Sequence, residues 1–218
     1  ACRSRNVVAR IEGTDKKDEI LTITAHYDSV PEGPGAYDNM AGAAIIMELC
    51  RYFQQYRPRR TMEFVWFGAE EKGLLGSRDY IRVHESELGA HRFNMNVDLA
   101  GQLIGGNVLG VTGEASVCDK LLEIADGAGI GASVKNQIWG SDSNSFAWKG
   151  IPAMTLNRDG FGMHTRYDTI DLLSAWSLER SAILLGCIAD ALGNTEVFPF
   201  ERKMPEKFIG ELDEYMCR

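Results

Sequence analysis

The chain has 218 residues, 44% of them hydrophobic and 25% charged, with a formal net charge of -8. That length supports one domain with a full core, and the acidic balance excludes nucleic acid as a partner, because phosphate binding needs a basic stripe. No apolar run approaches the roughly 20 residues of a membrane span, which argues against a membrane partner. Residues 1–5 show no signal-peptide core; a mature secreted chain has lost that segment, so a secreted and a cytoplasmic location both stay open.

In chain order, residues 6–12 read as a strand, 13–18 as a charged turn and 20–25 as a continuous apolar, β-branched strand, the two strands forming a hairpin. Residues 40–56 carry Ile45, Ile46, Leu49, Cys50 and Phe53 at helical spacing, ended by Pro58. The basic run Arg57-Pro58-Arg59-Arg60 reads as a solvated turn. Residues 61–67, 93–97, 107–111, 133–138 and 153–156 read as strands, and 74–83, 117–128 and 178–192 as helices. This alternation predicts a three-layer α/β/α sandwich with a mixed, mainly parallel central sheet, in one domain spanning residues 1–218. The five cysteines are an odd, scattered set without a CxxC pair. Cys50 and Cys187 read as buried packing residues, and Cys2 and Cys217 pair only if the chain ends meet.

Three apolar stretches stop at an acid or a histidine: ILTITA at His26-Tyr27-Asp28, MEFVWFGA at Glu70-Glu71, and FNMNV at Asp98. In an open α/β sheet the ligand crevice lies beyond the carboxyl ends of the strands, so these endings converge on one place. Asp38 and His164 lie in glycine-containing loops that can close over it. Carboxylates and imidazoles gathered without Lys or Arg repel one another unless a cation neutralises them, and the set reads as a metal site. Each member also has a plainer reading. Asp38 alone is a helix N-cap, Asp98 a turn residue before Gly101, and Glu70-Glu71 a pair of solvated acids at a helix start. His26 and Asp28, two apart on an extended chain, point the same way, so the carboxylate orients the imidazole. Glu70 and Glu71, adjacent on an extended segment, point apart, one toward metal and one toward the reacting water. His84 and His91 read as surface residues, and Trp139, Phe161 and Met163 as lining for an apolar pocket.

Taken in order, His26-Tyr27-Asp28-Ser29, Gly35-Ala36-Tyr37-Asp38-Asn39-Met40-Ala41-Gly42, the stretch 67–77 around Glu70-Glu71, Asn96-Val97-Asp98 and His164-Thr165-Arg166-Tyr167-Asp168-Thr169 closely resemble the motifs of the co-catalytic di-zinc aminopeptidases. This family of zinc exopeptidases also contains glutamate carboxypeptidase-like enzymes and is structurally related to glutaminyl cyclases. The resemblance runs from residue 6 to residue 192. It implies two zinc ions per chain, bridged by Asp38, one also held by Glu71 and His164 and the other by His26 and Asp98. Glu70 is then the general base, Asp28 holds the other ring nitrogen of the zinc-bound histidine, and a cis peptide is expected at Asp38-Asn39. Cobalt or manganese also suits such donors.

The implied substrates are peptides with a free N-terminus, and the implied activity is aminopeptidase hydrolysis. A carboxypeptidase or a glutaminyl cyclase is the alternative within the superfamily, and a non-catalytic, peptidase-derived binding module the alternative outside it. Two departures stand out. Ser143 replaces the histidine of a Ser-Asp-His stretch common in the family, and members usually carry a further helix and strand before the region matching residue 6. A sheet edge or face uncovered in this way is expected to favour self-association, or to be covered by the amphipathic stretch 206–215.

Overall fold

A computed structural model describes residues 3–217. Its strands are β1 (Val7–Ile11), β2 (Lys16–His26), β3 (Arg60–Phe67), β4 (His91–Val97), β5 (Asn107–Thr112), β6 (Ala132–Asn136) and β7 (Ala153–Arg158). They form one seven-stranded sheet in the order β1-β3-β2-β4-β7-β5-β6. β3, β2, β4 and β7 run parallel through the middle, while β1 is antiparallel to β3 and β5 antiparallel to β7. Helices α1 (Ala41–Gln55), α3 (Ala115–Gly127) and α5 (Ala175–Asn194) cover one face, and α2 (Leu75–Val83), α4 (Ser143–Trp148) and α6 (Glu206–Met216) the other. The result is the mixed, mainly parallel three-layer sandwich expected from the alternation. Among the described residues, no helix is long and apolar enough to cross a membrane.

The expected hairpin does not form, because β3 lies between β1 and β2. The connection after β1 is pressed onto the entry of β3: a Cβ on Gly13 would stand 2.3 Å from the Arg59 carbonyl oxygen. Thr14 and Lys16 donate their N–H groups to the carbonyls of Pro58 and Arg59, so the chain crosses the start of β3 instead of turning back. The basic run is likewise not all solvated. Arg60 is wholly buried, donating to Glu19 at 2.6 Å and to the carbonyls of Leu192 and Thr195 at 3.1 and 2.7 Å. Its paired, hydrogen-bonded guanidinium ties the start of β3 to the end of α5.

Alternation along the two central strands divides the interior. Leu21, Ile23 and Ala25 of β2 and Phe93, Met95 and Val97 of β4 join the apolar core beneath α1 and α5. Full burial stabilises each large side chain of this kind by about 1.5–3 kcal/mol. Thr22, Thr24, Asn94 and Asn96 point to the opposite face, where a buried polar group without a partner costs about 1–3 kcal/mol. Thr24 donates to Asn96 Oδ1 at 2.8 Å, and Asn96 donates to Ser141 Oγ at 2.7 Å. His91 belongs to this column and not to the surface: it is 1% exposed, with Nδ1 2.7 Å from the Thr22 hydroxyl.

The six-residue α4 carries too little periodicity to be read from sequence. α6 forms where the amphipathic stretch was expected, but it packs against α4 and the Phe67–Phe146 cluster. The β1 edge keeps Val7 and Val8 exposed. Cys50 is buried and Cys187 half-buried; Cys2, and with it the Cys2–Cys217 pairing, lies outside the described residues.

Candidate metal centre

The four central parallel strands end on one side of the sheet, and each delivers a chemical group there. His26 is the last residue of β2, and Asp98 directly follows β4. Thr24 pairs with Asn96 across these strands, so the two-residue alternation carries His26 and Asp98 onto the same polar face. His26 Nε2 lies 3.2 Å from Asp98 Oδ1. Glu70 and Glu71 follow β3 in a turn of 3-10 helix, Glu70–Lys72, and not on an extended segment as expected. Successive residues of a 3-10 turn still point about 120° apart, so the acids diverge by a different geometry. His164 arrives from the loop after β7.

Asp38 sits in the wound turn Ala36–Met40 that enters α1. Its side chain is not the helix cap: Asn39 accepts the Gly42 N–H at 3.2 Å and donates to the Val97 carbonyl at 2.8 Å. Asp38 is thereby free to present Oδ1 to His26 Nε2 at 3.2 Å and Oδ2 to His164 Nε2 at 3.0 Å. Glu71 Oε2 is 3.2 Å from the same His164 nitrogen. Two donor groups result, His26–Asp38–Asp98 and Asp38–Glu71–His164, sharing Asp38. The Asp38-Asn39 peptide is cis.

These donors fit a metal. The separations of 3.0–3.2 Å between carboxylate oxygens and imidazole nitrogens are close to the roughly 3.3 Å edge of a tetrahedron with zinc-type bonds. Glu71 Oε1 is buried and makes no hydrogen bond, as expected of an oxygen set aside for a cation. Imidazole and carboxylate together suit zinc, cobalt or manganese.

Surrounding groups hold the donors in place. His26 Nδ1 lies 3.1 Å from the Asp28 carbonyl and 3.5 Å from its carboxylate, leaving Nε2 to face the site. The Asp28 carboxylate accepts the backbone N–H groups of Glu70 and Glu71 at 3.0 and 3.3 Å, so one acid braces both the histidine and the turn. Ser141 donates to Asp98 Oδ2 at 2.6 Å. The non-glycine residues with positive φ gather here as well: Ala69, Leu74, Leu99 and His164, with φ between 58° and 68°. Such conformations cost about 1–3 kcal/mol each and persist where the surroundings over-determine them.

The electrostatics follow from burial and crowding. Burial works against charge on His26, yet Asp98, Asp28 and Asp38 outweigh it and hold the ring well above the usual histidine range. Burial, and then the charge of Asp142, push the Glu70 carboxyl far above the usual carboxylate range, with His26 opposing. Asp142 itself is enclosed with neither oxygen in a hydrogen bond of good geometry; burial raises its pKa, while His26 and the Ser77 hydroxyl act the other way.

A cavity of about 360 Å³ opens over the cluster, walled by Leu74, Leu99, Trp139, Gly140, Met163 and Tyr215 beside the acids and histidines. Trp139 and Met163 were expected in this wall, but Phe161 is not part of it: its side chain is 54% exposed, and its backbone is tied to Gln102. Ser143 lies below the pocket, 2% exposed and bonded to Thr155 at 2.7 Å. A larger apolar groove, about 610 Å³, runs between α1 and α5 on the helical face, away from the strand ends.

Sequence reading assigned no role to Asp142, Ser141, Asp168 or Tyr215. Asp168 follows His164 within one loop, a proximity that could have singled it out. Tyr215 is remote from every motif, and no sequence signal marks it.

The crevice at the carboxyl ends of a mainly parallel sheet, lined by two groups of candidate metal donors that share an aspartate, defines the class as an α/β protein with a candidate metal centre. The chain belongs to peptidase family M28, whose model matches residues 6–186. It is 30% identical over 161 residues to aminopeptidase YwaD of Bacillus subtilis, which covers 73% of this chain and 32% of that protein. It is 26% identical over 200 residues to carboxypeptidase Q of Rattus norvegicus, covering 88% and 42%. Among solved structures, BSAP, a zinc aminopeptidase from Bacillus subtilis, superposes with a TM-score of 0.79 at 26% identity, covering 91% of this chain and 53% of that one. A peptidase M28 precursor from Shewanella amazonensis gives a TM-score of 0.80 at 29% identity, covering 92% and 47%. The chain thus spans well under two thirds of the length of these relatives.

Proposed function

We propose that the chain is the catalytic part of a zinc-dependent aminopeptidase that hydrolyses the first peptide bond of substrates with a free N-terminus. The observation carrying this reading is the division of Asp38, one carboxylate oxygen toward each of two imidazoles at 3.2 and 3.0 Å. His26 and Asp98 would complete one zinc site, and Glu71 and His164 the other. Bound zinc supplies Lewis acidity toward a carbonyl oxygen and makes water acidic near neutral pH.

The remaining chemistry belongs to the chain. Glu70 stands outside both donor groups at the cavity wall, placed to take a proton from the attacking water and return it to the leaving amine. The unshielded acids beside the cavity attract the substrate's α-ammonium, which selects chain ends over internal bonds. Leu74, Leu99, Trp139 and Met163 offer apolar surface to the terminal side chain.

The similarity to carboxypeptidase Q supports a second reading, release of a C-terminal residue. A panel of aminoacyl-anilides and N-acetylated dipeptides, assayed on zinc-loaded protein beside Glu70→Gln with metal content measured, separates the two. Cleavage of anilides by the wild type, with a loss of about 10²-fold or more in the variant, is the expected result. Equal rates in the two proteins, or no bound metal, would sink the mechanism; cleavage of the blocked dipeptides alone would select the carboxypeptidase.

A further inference from the structure

One wall of the cavity comes from outside the family-matched residues 6–186: α6 brings Tyr215 to it. The placement follows from the helix itself. Phe208, Leu212 and Met216 recur at four-residue intervals and are all buried, and Phe208 and Leu212 enter the cluster formed by Phe67, Tyr80 and Phe146. Trp148 Nε1 donates to Asp213 Oδ1 at 2.8 Å and fastens α6 to α4. Tyr215, three residues after Leu212, is turned from the flank of that buried stripe toward the strand ends.

The Tyr215 hydroxyl lies against Gly140, where a Cβ would stand 3.5 Å from it. The next two residues are Ser141, which holds Asp98, and Asp142, whose charge acts on Glu70. The hydroxyl itself is bonded to none of the described residues. Burial, and then the negative charges of Glu70, Asp142 and Asp98, disfavour a phenolate, so the oxygen keeps its proton. Asp38, Glu70, Glu71 and Asp98 confront a bound peptide with acceptors. They suit the substrate's ammonium but not its carbonyl oxygen, which becomes negative during attack. A neutral, proton-bearing hydroxyl in the same cavity wall offers that oxygen a hydrogen-bond donor in addition to any bound zinc.

We propose that Tyr215 is a catalytic residue of this chain, its hydroxyl donating a hydrogen bond to the carbonyl oxygen of the peptide bond under attack. The inference rests on the aminopeptidase reading above. Its test compares the zinc-loaded wild type with Tyr215→Phe, which keeps the ring and removes the donor, after equal metal content and melting temperature are established. Two quantities are read: steady-state hydrolysis of leucyl-p-nitroanilide, and calorimetric binding of L-leucinephosphonic acid, a tetrahedral oxyanion, against L-leucine.

The expected result is a fall in kcat of roughly 10- to 100-fold with KM within about twofold, matched by weaker phosphonate binding and unchanged leucine binding. A kcat and phosphonate affinity within about twofold of wild type would overturn the role of Tyr215 and leave the aminopeptidase reading standing. A wild type that neither cleaves the anilide nor binds the phosphonate would overturn both.

Discussion

Asp168 grips the backbone of Asp38: its Oδ2 accepts the Asp38 N–H at 3.0 Å, while its Oδ1 accepts the Tyr37 N–H at 2.6 Å. It is 1% exposed and lies four residues beyond His164, so one loop supplies a candidate metal donor and the clamp on Asp38, which both candidate donor groups share. Asp168→Asn sets an amide NH₂ against one of two backbone donors without removing any proposed metal donor. Zinc affinity is expected to fall about 10- to 100-fold, as when outer partners of metal ligands are lost. Calorimetric titration of the metal-free protein reads this directly; an unchanged affinity would mean that the Asp38 turn holds its shape unaided.

Gly42, in the first turn of α1, gives a second view of the same support. A Cβ there would stand 2.4 Å from Asn39 Oδ1, the oxygen that accepts the N–H groups of Gly42 and Leu99. Glycine to alanine within a helix ordinarily stabilises by roughly 0.5–1 kcal/mol. Here the sign reverses: Gly42→Ala is expected to cost about 1–3 kcal/mol by overpacking and to displace Asp38. Urea unfolding measures the first effect and zinc affinity the second. A stabilised variant with normal zinc binding would contradict the tight fit at Asn39.

His91 makes stability depend on pH. Burial, and then the positive charges of Arg10, His84 and Arg202, lower its pKa from 6.5 to about 4. Below pH 6.5 the unfolded chain takes up a proton that the folded chain refuses. The stabilisation is therefore whole above about pH 6.5 and is lost as pH falls toward about 4, with a span on the order of 3 kcal/mol. His91→Asn can retain the bond to Thr22 and cannot titrate, so its urea-unfolding free energy is expected to fall less steeply across that window. Parallel curves for the two proteins would show that other groups govern the acid limb.

Legibility in the sequence followed the range of the interactions. His26 and Asp98 stand out because strand alternation is local and the endings of parallel strands share one side of the sheet, so spacing alone carries them to the crevice. Helices with a long apolar stripe, such as α1 and α5, are visible for the same reason. What stayed hidden depends on distant contacts. The hairpin expectation failed because Gly13 packs on the entry of β3, some 45 residues away. His91 was misread because its burial is set by Thr22 on a neighbouring strand and by Tyr80 and Phe146. Glu70 and Glu71 lie in a 3-10 turn and not on an extended segment, because Asp28 holds the N–H groups of that turn. Tyr215 reaches the cavity only because α6 folds back over α4.

Asp38 belongs to both candidate donor groups at once, and counting bound metal tests that sharing most directly. Equilibrium dialysis of the metal-free chain against zinc, followed by metal analysis, is expected to give two zinc ions per wild-type chain, with both sites weakened together in Asp38→Ala. A single zinc in the wild type, or one site left intact in the variant, would contradict the shared aspartate.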